Sequence, residues 1–149
     1  MLGYVCKYTP MELFEAMDTE ITRLEPSVTD FNHADTLMHA NICSYTKAVL
    51  EDVMEHDYEG VILTTCCDSI RRLYDALKSQ FPDKFFFLLD IPRKFNDFAV
   101  TLYERQLKQM LTEYEAFSGK TLDLKRFVSM MQNKAALKKQ ENTRMSASA

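Results

Sequence analysis

No other stretch of this chain constrains its fold as tightly as Val61-Ile-Leu-Thr-Thr-Cys-Cys-Asp-Ser-Ile-Arg-Arg-Leu-Tyr-Asp75. Its opening run of β-branched and apolar residues predicts a buried strand. Its second half places Ile70, Leu73, Tyr74 and Leu77 at the i, i+3, i+4, i+7 spacing of one helix face. Asp68 stands where a carboxylate can accept the first free N–H groups of that helix. Between strand and helix lie two adjacent cysteines, and a thiol at a helix start is biased toward thiolate. A strand–turn–helix unit of this kind belongs to a parallel α/β sheet.

The flanking sequence repeats the pattern. Leu2 to Val5 predicts a first strand, followed by Cys6 and a helix start in which Thr9 and Glu12 have capping-box spacing and Pro10 holds the first helical position. Glu20 to Leu24 alternates polar and apolar residues as a short strand, and Pro26 to His33 reads as a polar connection. A helix is expected from about Asn41, with Asn41 or Ser44 as cap and Cys43 in the first turn. Phe85 to Asp90 is a continuous apolar run, expected to be buried on both faces of the sheet. A long helix follows, with Phe98, Leu102, Tyr103, Leu107, Met110, Leu111, Tyr114 and Phe117 inward and Gly119 at its end. Asp123 caps a last helix through Leu124, Phe127, Val128 and Met131. The expectation is one three-layer, Rossmann-like α/β domain over 1–137 with about four mostly parallel strands, and a frayed, disordered polar tail over 138–149.

Composition narrows the function classes. The chain has 149 residues, 46% of them hydrophobic, so one domain with a real core is expected. A net charge of −4 argues against nucleic acid or an anionic membrane as partner. No apolar run reaches the roughly 18 residues a spanning helix needs, and the first residues lack the basic and apolar regions of a signal peptide. The expected location is therefore the reducing cytoplasm, where cysteines serve as metal ligands, redox groups or core fillers rather than disulfides.

There are four cysteines: Cys6, Cys43, Cys66 and Cys67. Buried free thiols most often only pack. Here, however, the predicted elements put them at strand ends or helix starts, where α/β sheets bind ligands. No Cys-x-x-Cys pair occurs, so any metal site has to be assembled from separate turns. A Cys66–Cys67 disulfide would be strained.

Four segments occur in a telling order: Gly3-Tyr4-Val5-Cys6-Lys7-Tyr8-Thr9-Pro10-Met11-Glu12-Leu13, His39-Ala40-Asn41-Ile42-Cys43-Ser44-Tyr45, Thr65-Cys66-Cys67-Asp68-Ser69-Ile70-Arg71-Arg72-Leu73-Tyr74-Asp75 and Leu89-Asp90-Ile91-Pro92-Arg93-Lys94. Together they resemble the 2-hydroxyacyl-CoA dehydratase D-component family, which also contains the benzoyl-CoA reductase subunits. The resemblance implies an oxygen-sensitive 4Fe–4S cluster with cysteine ligands, a related partner subunit, and an ATP-dependent activator that delivers one electron for radical chemistry on an acyl-CoA. By the same resemblance Cys6 and Cys43 match the family's ligand cysteines, and Cys67, not Cys66, matches the cysteine of its Ser-Cys-Asp motif. Family members are more than twice as long, with a second α/β half that supplies a further ligand and much of the cleft. Lys7 replaces the small polar residue usual after the first cysteine. The chain thus carries part of such a site.

Arg71, Arg72, Arg93 and Lys94 are the candidate contacts for CoA phosphates or an acidic activator, against the alternative of a solvated basic edge or ion pairs with Asp68, Asp75 or Asp90. His39 is a candidate pocket residue, and His33 and His56 are assigned to surface loops. Two other functional readings stand beside the dehydratase one: a non-catalytic accessory or remnant domain that binds a partner subunit, and a zinc or thiol-redox module using Cys6, Cys43 and Cys67.

Overall fold

A computed structural model describes residues 1–28 and 30–147, with side chains to residue 141. Four strands, β1 (Leu2–Tyr4), β2 (Ile21–Arg23), β3 (Gly60–Thr64) and β4 (Phe85–Leu89), form one sheet in the order β2-β1-β3-β4. Every pairing is parallel, with Leu2 opposite Ile21 and Gly60, and Gly60 opposite Phe85. Six helices connect and cover the strands: α1 (Met11–Ala16), α2 (Asn32–Leu37), α3 (Ser44–Glu55), α4 (Asp68–Gln80), α5 (Asp97–Ser118) and α6 (Leu124–Ala147).

The apolar runs of β3 and β4 are buried on both faces because each face carries its own core. Val61, Leu63 and Phe86 pack with Val49, Leu50 and Val53 of α3 and Leu73 and Leu77 of α4. Ile62, Phe85, Phe87 and Leu89 pack on the other side with Phe14 of α1 and Met110 and Tyr114 of α5. This is the expected three-layer α/β arrangement. The chain leaves β1 for β2 on one side and reaches β3 on the other, so the strand order reverses between β1 and β3. In open α/β sheets that reversal opens a crevice at the carboxyl ends of the two strands.

Several local expectations are corrected. The Thr9–Glu12 capping box does not form: the Thr9 N–H closes a turn onto the Cys6 carbonyl at 2.9 Å, and its hydroxyl is buried with no hydrogen-bond partner among the described residues. Asp68 is the first residue of α4 rather than its cap; Cys67 holds the cap position without a side-chain hydrogen bond. Cys43, not Asn41 or Ser44, is the cap residue of α3. The polar connection gives way at Asn32 to α2, so His33 lies on a helix, whereas His56 lies exposed just past the end of α3, in the connection to β3, as expected.

Phe98 and Leu102 face outward instead of into the core, Phe98 being 78% exposed. A helix of 22 residues is about 33 Å long and overhangs a five-residue strand of about 17 Å, leaving its first turns without a sheet to cover. Gly119 does end α5, at φ 71°, and the Asp123 carboxylate accepts from the Arg126 N–H at 3.1 Å at the start of α6. The α6 backbone continues to Ala147, through most of the segment whose composition suggests a frayed, disordered tail; residues 148 and 149 lie outside the described residues.

Candidate functional site

The crevice between β1 and β3 is bordered by cysteines. Cys6 follows β1 and is half-buried; Cys66 and Cys67 occupy the turn after β3 and are exposed. Cys43 reaches the same end of the sheet by another route, as the exposed cap residue of α3. Its sulfur lies 3.1 Å from the Thr46 hydroxyl. That hydroxyl, followed by backbone N–H groups of Thr46 and Tyr45 and the Ser69 hydroxyl of α4, lowers the Cys43 pKa against a smaller opposing effect of burial. Burial instead pushes the Cys66 thiol up.

Tyr45 is within electrostatic reach of all three cysteine-bearing turns. Burial raises the pKa of its hydroxyl, and the sulfurs of Cys66, Cys6 and Cys43 add to the rise while Arg23 opposes it. A residue sensitive to three sulfurs from three separate turns is a feature that sequence reading missed. Its signal was the adjacency to Cys43 within the second segment.

The turn carrying Cys66 is fixed from below. The Thr65 N–H donates to the Leu89 carbonyl at 3.0 Å, and the Thr65 hydroxyl donates to the Asp90 carboxylate. The Asp90 N–H in turn donates to the Gln106 side chain at 2.9 Å. Asp90 is thus a positioning residue for the β3–α4 turn.

A family model described as 2-hydroxyglutaryl-CoA dehydratase, D-component, matches residues 6–145. The chain belongs to this family. No curated protein matches it. The match takes in Cys6, Cys43, Cys66 and Cys67 together and makes the chain a dehydratase-like subunit.

For this dehydratase-family chain the cysteines can be tested against an iron–sulfur cluster. By chemistry they fit, being free thiols at a helix-lined sheet end. By position they do not: among the described residues no three His, Cys, Asp or Glu side chains stand close enough together to hold a metal ion.

The four candidate cations divide into two places. Arg93 and Lys94 line a cavity of about 470 Å³ together with Tyr8, Pro92, Phe95 and Tyr103. Phe95 is 96% exposed and Tyr8 63%. Cys6 is near enough to this cavity to add to the burial-driven rise of the Tyr103 pKa. Arg71 and Arg72 stand on α4, and Arg72 borders a different cavity together with His39. Among the described residues none of Arg71, Arg72, Arg93 and Lys94 pairs with Asp68, Asp75 or Asp90, and all four are exposed, as on a solvated basic edge. Among the described residues no helix is long and apolar enough to cross a membrane.

Proposed function

We propose that this chain is a dehydratase-like subunit that lends Cys6, Cys43 and Cys67 as thiolate ligands to a 4Fe–4S cluster and holds an acyl-CoA against Arg93 and Lys94. The observation that carries the reading is the convergence of cysteine-bearing turns, distant in sequence, at the β1/β3 crevice. The charge of a thiolate suits the amino ends of α3 and α4, which no side chain caps. A cluster of this kind supplies one-electron chemistry. The chain's own residues contribute the rest: Asp90 and Thr65 hold the cysteine turn, and Tyr8 and Phe95 offer an aromatic wall. Arg93 and Lys94, unpaired with any carboxylate among the described residues, offer positive charge to phosphate. Because no three donors are gathered among the described residues, the reading requires the turns to close in, with a related partner subunit adding a ligand. The ATP-dependent activator and a cytoplasmic setting are part of the same proposal.

The test is iron and acid-labile sulfide in protein isolated without oxygen, alone and with the partner subunit. Both elements in near-stoichiometric amount, lost in Cys6→Ser and Cys43→Ser, are expected. Their absence even with the partner would sink the cluster reading. The scattered positions of the donors favour one alternative, a non-catalytic accessory domain. It expects Cys6→Ala and Cys43→Ala to leave partner binding unchanged. Zinc without sulfide would identify the zinc module instead.

A further inference from the structure

The second cavity, of about 550 Å³, lies between the α2–α3 connection and α4. Its size is that of an ordinary small-molecule site. Leu37, Met38, Ile42 and Ala76 form an apolar lining continuous with the core of the α3/α4 face. This lining is preformed, since Met38 is buried and the other three are packed against that core.

Three polar side chains border it: His39, Arg72 and Asp75. Arg72 and Asp75 are three residues apart on α4, a spacing at which opposite charges ordinarily pair. On α5 such a neighbouring pair, Lys108 with Glu104 four residues apart, does form at 2.6 Å. Yet neither the Arg72 nor the Asp75 side chain forms an ion pair or hydrogen bond among the described residues. At His39, Nδ1 accepts the Asn41 N–H at 3.2 Å, which assigns the ring proton to Nε2 as a free donor. The border therefore offers donors for a carboxylate, from Arg72 and His39, and a carboxylate for an ammonium, from Asp75.

We infer that this cavity binds a small apolar α-amino acid, its carboxylate toward Arg72 and His39, its ammonium toward Asp75 and its side chain on Leu37, Met38, Ile42 and Ala76. A simple carboxylic acid would leave Asp75 unused, and a simple amine would leave Arg72 unused. The site holds no cysteine and does not depend on the cluster proposal.

The test is calorimetric titration of the full chain with L-leucine, and with 4-methylpentanoate and 3-methylbutylamine, which lack its ammonium and its carboxylate respectively. Saturable L-leucine binding, at least tenfold tighter than either analogue, is expected. Asp75→Asn should weaken L-leucine at least tenfold and leave 4-methylpentanoate unchanged; Arg72→Gln should weaken L-leucine and leave 3-methylbutylamine unchanged. Both side chains are exposed, so both variants should keep the native circular dichroism. The inference is overturned if the folded chain does not bind L-leucine or if neither substitution affects its binding. It is also overturned if 4-methylpentanoate binds as tightly, which would mark a plain anion site.

Discussion

At the scale of single residues, opposite pKa directions separate two exposed thiols that both act on Tyr45. Cys43 falls below its ordinary 9.0 because the Thr46 hydroxyl and helix N–H groups favour the thiolate, whereas burial lifts Cys66 above 9.0. In the pH range between the two, Cys43 is ionised while Cys66 keeps its proton. Iodoacetamide at neutral pH should therefore label Cys43 several-fold faster than Cys66, as read by peptide mass spectrometry. Thr46→Val should narrow the difference by removing the first of these causes; equal labelling in the native chain would contradict it. Gly60 is a residue of a different kind. A Cβ there would lie 2.0 Å from the Phe85 carbonyl oxygen, an atom fixed by the β3–β4 ladder. Gly60→Ala should cost about 3 kcal/mol in urea unfolding, because the backbone has to part to admit it.

Among the elements, α2 shows why a helix can be absent from a sequence reading. Phe31 at its cap position makes no side-chain hydrogen bond, so no local start signal exists. The donor left open at Ala34 is instead satisfied by Glu51 of α3, which accepts that N–H at 2.7 Å and meets His33 Nδ1 at 2.7 Å with its other oxygen. Glu51 is only 3% exposed, so the cap is buried as well as remote. Glu51→Ala should cost about 3 kcal/mol by stranding a buried donor, with Glu51→Gln less harmful because its amide oxygen can still accept. Amide exchange confined to Asn32–Leu37 would read the local part of the loss. By contrast, the N-terminus of α5 was not anticipated as a cap but follows an ordinary local rule. Asn96 accepts the Ala99 N–H at 2.8 Å.

At the scale of the whole molecule, Tyr114 ties the far end of the sheet together. Its buried hydroxyl donates to Glu59 at 2.8 Å, just before β3, and lies 3.0 Å from the Thr19 hydroxyl, just before β2. Its ring stacks edge-on to Phe14 and Phe85 at 5.1 Å. Burial above all pushes its pKa from 10.0 to about 12. The folded state thus holds the proton where the unfolded state releases it. This contribution is complete below pH 10.0 and is lost as pH climbs toward about 12. Tyr114→Phe should lower stability by about 1–2 kcal/mol at neutral pH and flatten part of the alkaline decline. An unchanged alkaline profile would show that Tyr114 does not carry it.

The amino-acid pattern alone determined four strands, their alternation with helices, the double-sided burial of β3 and β4, and the family, because apolar periodicity and short ordered motifs are local properties. Cys6, Cys66 and Cys67 could be placed at strand ends on the same grounds. Only the tertiary structure decided that the strand order reverses between β1 and β3, which opens the crevice beside those cysteines. It also decided that Tyr45 falls among three sulfurs, and that Arg93 and Lys94 share a cavity while Arg72 faces another. The same holds for α2, whose cap lies 17 residues away on α3. In each case the deciding contact joins residues far apart in the chain, and local spacing marks the apolar face of a helix but not which neighbour that face will meet.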